Sequence, residues 1–394
     1  MTGSIDVVIA PDSFGGALDS VGVADAIAAG WRRQRPGDTV REIPMADGGE
    51  GTLAAIAVAL GEAAERRSVE TVDPLGRPVT AEWLLLDEGR GAFIEMAAAS
   101  GLALLSPEER TPESCRAATT RGTGDLLLAA LDAGVERITL GLGGSATTDG
   151  GSGLLAALGA RLLDGDGREL PPGGAALARL GRIDPSGLDR RLADVQLVVA
   201  SDVTNPLCGA HGAAATYGPQ KGADPAAVEE LDAALAVFGD AIEAAAGRLV
   251  ADIPGAGAAG GTTAGLLGFT SAMVRPGVDV VAELVGLAEA LEHADLVITG
   301  EGRADEQTLS GKAAMGVARL ARTRSAPVVL LCGALGHGAA ALDASGVFAV
   351  VQPIGDRPMT LEQSMADTER LLTNAAERVA RSVDIGLTLA DAAR

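Results

Sequence analysis

Both ends of this chain alternate short apolar runs with segments of helical periodicity, and no other feature of the sequence constrains the fold as strongly. Residues 5–10 form an apolar run rich in β-branched side chains, followed by the loop Pro11-Asp12-Ser13-Phe14-Gly15-Gly16. Val23, Ala24, Ile27, Ala28 and Trp31 then recur at helical spacing. A turn at Pro36-Gly37-Asp38 leads to a second predicted strand over 39–44, and Leu53, Ile56, Ala57 and Leu60 mark another amphipathic helix. Towards the other end, 294–299, 327–332 and 347–351 read as strands, with helices predicted over 305–322 and 360–379. Strands alternating with helices require a parallel sheet covered on both faces. Two early and three late strands make a five-stranded sheet. The predicted fold is therefore α/β: a flavodoxin-like parallel-sheet domain from residues 1–65 and 293–394, with a second, mixed α/β domain inserted at 66–292.

The middle of the chain follows a different grammar, which supports that division. Residues 68–96 hold two or three strands around turns at Asp73-Pro74-Leu75-Gly76 and Asp87-Glu88-Gly89. Helices are predicted over 123–133, 153–163 and 226–245, and strands over 137–142 and 196–201. A length of 394 residues suits two domains, and a hydrophobic content of 47 % permits a sizeable core. Aromatics make up only 2 %, so that core is built from Ala, Leu, Val and Ile.

A net charge of −22 argues against nucleic acid or an anionic membrane as the main partner. An anionic ligand would have to be attracted by local features: helix N-termini, a few cations and a metal ion. Cys115, Cys208 and Cys332 are far apart, which suits a reducing compartment. The first residues carry no basic segment, and the uncharged stretch 253–274 contains Pro254 and six glycines, too weakly apolar to span a bilayer. The expectation is a cytoplasmic protein with no membrane partner, as monomer or homodimer. Of the 31 lysines and arginines only Lys221 and Lys312 are lysine. In a chain that uses Arg for ordinary positive charge, these two are candidates for a compact ammonium that Arg cannot replace.

Several loops carry candidate chemistry. Asp47-Gly48-Gly49-Glu50-Gly51 and Asp149-Gly150-Gly151-Ser152-Gly153 share one pattern, and each opens an apolar helix. Glycines let backbone approach a ligand, free N–H groups favour an anion, and the Asp can hold Mg²⁺; the alternative is a plain helix N-cap. The segment 141–149 is dense in glycine and hydroxyls, among them Gly143, Gly144, Ser145 and Thr147. It fits a weak dinucleotide fingerprint, but its helix begins too late for one. Gly300-Glu301-Gly302-Arg303 follows a strand, where open α/β sheets bind ligands. Ser310-Gly311-Lys312 looks like the tail of a P-loop, yet Glu306 and Ala313 break that motif. Asp202 and Asn205 sit just after a predicted strand. The three histidines lack metal-ligand spacing, and no nucleophile elbow is present.

Taken in order, these loops resemble the class I glycerate kinases. The resemblance is carried by Ala10-Pro11-Asp12-Ser13-Phe14, by residues 46–52, by Asp73-Pro74-Leu75-Gly76-Arg77-Pro78 and by residues 95–101. Gly143-Gly144-Ser145-Ala146-Thr147, residues 202–209, Gly218-Pro219-Gln220-Lys221-Gly222, residues 254–261, Gly300-Glu301-Gly302-Arg303 and Gly311-Lys312 complete it. It implies Mg²⁺-dependent transfer of the ATP γ-phosphoryl group to glycerate, giving 2-phosphoglycerate. Rival readings are a kinase for a related sugar acid and a non-catalytic ligand sensor on the same scaffold.

On this reading Asp47, Asp202 and Lys312 are the catalytic candidates, and Asp149 and Asp305 the metal candidates, with the division between base and metal ligand left open. Asp12, Ser13, Gly48, Gly49, Glu50, Gly143, Gly144, Ser145, Thr147, Asn205, Lys221, Glu301, Gly302 and Arg303 are expected to bind substrate or nucleotide. Arg303 or Arg121 would meet the glycerate carboxylate. Two departures from the family stand out: Gly15 where it often has Lys, and Arg121 where it usually has Tyr.

Overall fold

A computed structural model describes residues 3–310 and 313–392. Its strands run β1 (Asp6–Ile9), β2 (Thr39–Glu42), β3 (Glu65–Val72), β4 (Pro78–Leu86), β5 (Gly91–Glu95), β6 (Arg137–Gly141), β7 (Arg161–Asp164), β8 (Leu180–Asp184), β9 (Gln196–Ala200), β10 (Met273–Arg275), β11 (Leu296–Ala304), β12 (Val328–Leu335) and β13 (Val350–Pro353). The chain divides into two compact units. One takes the described residues of 1–47, 54–61 and 278–394; the other takes 48–53 and 62–277.

The first unit is built on a five-stranded sheet in the order β13-β12-β11-β1-β2, every pair parallel. This is the flavodoxin-like order, with β1 and β11 meeting where the winding reverses. Val7, Val8 and Ile9 are buried, as a strand covered on both faces requires. The helix Ser20–Gln34 starts at Asp19, whose carboxylate accepts the Gly22 N–H at 2.8 Å, and it buries the expected face of Val23, Ala24, Ile27, Ala28 and Trp31. It packs on the helix Thr368–Ala392, which contributes Leu371, Leu372, Ala375 and Ala376 to the same core.

The second unit has a six-stranded sheet, β10-β9-β6-β5-β4-β3. Its first four strands are parallel, and β4 and β3 are antiparallel. Helices Arg121–Asp132 and Pro225–Ala246 supply Leu126, Leu127, Leu231 and Phe238 to one core with Ile138, Leu140 and Val199. No described helix is long and apolar enough to cross a membrane.

The structure departs from the sequence reading in places. The helix predicted over 153–163 is only Ser152–Ala157: Gly159, at φ +103°, reverses the chain into the β7–β8 hairpin. The helix predicted over 360–379 breaks at Asp367 into Leu361–Ala366 and Thr368–Ala392. The units part at 47/48, 53/54, 61/62 and 277/278, where the sequence pattern suggests 65/66 and 292/293. Val278 packs on Gly316 of the helix Ala313–Thr323, so the chain joins the first unit earlier than its strand signal indicates.

A Cβ added at Gly30 would lie 2.1 Å from the Thr373 carbonyl oxygen, so the two long helices of the first unit meet backbone to backbone. Gly30→Ala gains about 1 kcal/mol in helix propensity but forces an overpacking cost of about 1–3 kcal/mol against unyielding backbone. We expect a net loss of stability, read as a lower urea midpoint at unchanged slope.

Candidate active site

In the first unit, sheet pairing continues past the end of β1 and carries a loop along β11. Ala10 N–H donates to Ile298 O at 2.8 Å and Asp12 N–H to Gly300 O at 2.9 Å, while Thr299 Oγ1 donates to Ala10 O at 2.8 Å. On the other side Met45 N–H donates to Pro11 O at 2.8 Å, which leads the chain from β2 towards Asp47. Asp12 and Glu301 are thereby fixed at the point where the winding of the sheet reverses. Open α/β sheets bind ligands at this point, beyond the carboxyl ends of the strands.

A cavity of about 1060 Å³ opens there. Asp12, Ser13, Asp47, Glu301, Gly302 and Arg303 line it together with apolar residues of the segment 353–365. The carboxyl of Asp12 is pushed up to about 7: desolvation by burial dominates, the charges of Asp47 and Glu301 add to it, and the Ser13 N–H at 2.7 Å opposes it. Glu301 is buried and accepts from Thr308 Oγ1 at 2.7 Å. This unit thus gathers five of the expected binding residues with Asp47. Gly15, the departure after Phe14, lines the same cavity.

Asp305 stays outside the cavity lining. It accepts the Gln307 N–H at 3.0 Å and pairs with Arg303 at 3.4 Å, the role of a turn-capping residue. Gly311 and Lys312 lie outside the described residues.

The second unit collects the other loops at the carboxyl ends of β5, β6 and β9. Gly143 N–H donates to Gly48 O at 3.1 Å, and a Cβ at Gly143 would sit 2.2 Å from Gly49 Cα, so two backbones cross where only glycine fits. Gly144 packs against Glu50. Asp202 is exposed after β9 and accepts the Gly277 N–H at 3.1 Å.

Three expected ligand residues have structural duties here. Asp149 has no solvent exposure and accepts from Thr120 N–H and Oγ1, both at 2.9 Å, and from the Gly151 and Gly153 N–H groups, both at 3.1 Å. Burial raises its pKa and these donors oppose that rise. The metal role expected for Asp149 does not fit a carboxylate so enclosed; its oxygens tie the turn that opens the helix Ser152–Ala157 to Thr120, and the N-cap of that helix is Gly151. Asn205 is spent within its own unit, donating to His211 O and accepting from Tyr217 OH, both at 2.8 Å. Lys221 is buried, and Nζ donates to Ser145 Oγ at 3.0 Å and Thr147 O at 2.6 Å.

Glu95 carries no role that its local sequence reveals. Buried at the end of β5, it accepts the Gly51 and Leu53 N–H groups at 3.1 and 2.9 Å and so holds the glycine turn that leads from Asp47. Its place in a strand-to-loop motif was visible; its partner 44 residues away was not.

The glycerate kinase family matches the chain over residues 7–384. The chain belongs to the glycerate kinase family. It is 47 % identical to a glycerate kinase of Halalkalibacterium halodurans over 95 % of this chain and 97 % of that one. It is 43 % identical to the glycerate 2-kinase of Escherichia coli (strain K12), over 97 % and 98 % of the two chains. The crystal structure assigned to glycerate kinase 2 of Salmonella typhimurium LT2 superposes with a TM-score of 0.85 at 42 % identity, covering 98 % of this chain and all of that one.

Three measurements test the second unit of this glycerate kinase family member. Asp149→Ala orphans three buried N–H groups and is expected to cost about 2–4 kcal/mol in urea unfolding. For Asp149→Asn we expect the melting temperature to fall while the shift produced by added Mg²⁺ stays that of the parent; loss of that shift would restore a metal role. Burial brings Lys221 down from 10.5 to about 8, against the pull of Asp149 and Cys115. Between these two values the unfolded chain holds a proton that the folded chain has released, so stability due to this residue rises with pH. Urea unfolding of parent and Lys221→Met from pH 7 to pH 10 is expected to show their difference moving in the parent's favour; a flat difference would mean that the amine does not titrate in the fold.

Proposed function

We propose that this chain transfers the γ-phosphoryl group of ATP to the 2-hydroxyl of glycerate at the cavity of its first unit. The observation that carries this reading is the set of three carboxylates, Asp12, Asp47 and Glu301, at the sheet's winding reversal in a chain of the glycerate kinase family. A kinase of this family uses ATP as its phosphoryl donor.

Phosphoryl transfer demands positioning and charge stabilisation more than covalent help. Asp12, with a proton affinity near neutrality, is suited to accept the hydroxyl proton of the acceptor as the new P–O bond forms. Among the described residues no three His, Cys, Asp or Glu side chains form a ready-made metal cage. Mg²⁺ does not need one, since it binds through one or two carboxylates, waters and substrate phosphates. Asp47 and Glu301 would hold it, and the ion when bound offsets charge on the phosphate oxygens. Arg303 would meet the carboxylate of the acceptor. Lys312 keeps the catalytic role expected of it. The enzyme acts in the cytoplasm, as monomer or homodimer.

ADP release measured with D-glycerate and Mg-ATP, followed by identification of the phosphoglycerate isomer, tests the reaction. Glycerate-independent ATP turnover, or preference for a longer sugar acid, would overturn it. Asp12→Asn is expected to fold normally, by circular dichroism, and to lose at least about a hundredfold in kcat, the scale of a lost general base. Near-parental turnover would remove Asp12 from the chemistry.

A further inference from the structure

We propose that the apolar half of this cavity seats the nucleobase of the phosphoryl donor, between the segment 354–359 and the helix Leu361–Ala366. The inference rests on the reading of the cavity as the phosphoryl-transfer site. Size is the first argument. A volume of about 1060 Å³ stands at the upper end of the roughly 300–1000 Å³ typical of sites for drug-sized ligands, and a three-carbon acid would leave most of it empty.

The distribution of chemistry is the second argument. All three carboxylates come from the loops after β1 and β2 and from β11, whereas Ile354, Met359, Leu361 and Met365 come from the segment after β13, at the edge of the sheet. The cavity therefore has an acidic end, suited to a metal–polyphosphate, and an aliphatic and thioether end, suited to a flat ring. Arg357 also lines it and supplies a guanidinium group suited to phosphate oxygens. A ligand with a planar apolar head and a polyanionic tail matches this sequence of surfaces, and a nucleoside triphosphate has that form.

Leu361 gives the third argument. This side chain lines the cavity yet remains 75 % exposed, so folding has not buried it. Met365, half-buried, stands one helical turn further along. A purine laid against this pair would remove from water the apolar surface that the fold leaves wet.

The test uses the full chain, with Leu361→Asp and Met365→Glu as variants and circular dichroism to establish that each folds. Leu361 is exposed enough that its substitution leaves the core untouched. Two readouts are taken: binding of the fluorescent nucleotide mant-ADP with Mg²⁺, competed by ATP, and separate KM values for ATP and D-glycerate. Losing one buried apolar contact and adding a charge is expected to weaken mant-ADP binding and raise KM for ATP by about tenfold or more, with KM for glycerate unchanged within about twofold. A rise in KM for glycerate with ATP unaffected would give this end to the acceptor and overturn the proposal. Unchanged mant-ADP binding in both variants would overturn it too. Nucleotide binding that depends on Leu361 and Met365 in a protein that does not phosphorylate glycerate would uphold the base seat and refute the reaction.

Discussion

The parallel pairing of β1 with β11 is the interaction on which the first unit depends. It joins residues 289 apart in the chain, as in the Asp6 N–H bond to the Asp295 carboxylate. Until it forms, the early strands and the late strands are two fragments, neither with a complete sheet. The entropic cost of bringing such distant segments together grows only slowly with the length between them, and burial of Val7, Ile9, Leu296 and Ile298 offsets it. The same pairing creates the winding reversal, and it does not stop at the last strand residue. The bonds of Ala10 and Asp12 to Ile298 and Gly300 extend it, so the geometry of the site is set by the ladder itself.

Asp12 carries this constraint into the chemistry. A carboxyl on an exposed loop would be ionised well below neutrality. Here the loop is clamped against β11, water is displaced, and two further carboxylates stand at the same cavity. Desolvation is the larger cause and like charge the smaller. A cation brought to the cavity would relieve that repulsion, so binding of a metal–nucleotide and ionisation of the acidic cluster are coupled through one electrostatic balance.

In the second unit, buried charge does a different job. Asp149 and Lys221 lie inside the unit and are satisfied by backbone and hydroxyl groups: Asp149 gathers Thr120, Gly151 and Gly153, and Lys221 gathers Ser145 and Thr147. Both hold the hydroxyl-rich loop after β6, whose side chains are too short to fix it by packing. A buried lysine with two short acceptors has room for a compact ammonium but not for the wider guanidinium fork. This accounts for lysine at position 221 in a chain where almost every other basic residue is arginine.

Sequence alone determined the class of fold and the family. β-branched runs and helical spacing are local properties, so the strands of the first sheet, the face of the helix Ser20–Gln34 and the order of the glycine loops were legible without coordinates. Asp12, Asp47 and Glu301 were candidates from their local motifs, and the fold sets all three along one cavity. Tertiary structure alone decided which of two like motifs faces a cavity. The Asp47 and Asp149 patterns match residue for residue except at one position, yet Asp47 lines open space while Asp149 has none, since Thr120 and the Gly151–Gly153 turn close around it. The helix that stops at Ala157, the partner of Glu95 and the burial of Lys221 were hidden for the same reason. Burial and hydrogen-bond partnership are set by contacts between residues remote in the chain, and a local pattern carries no record of them.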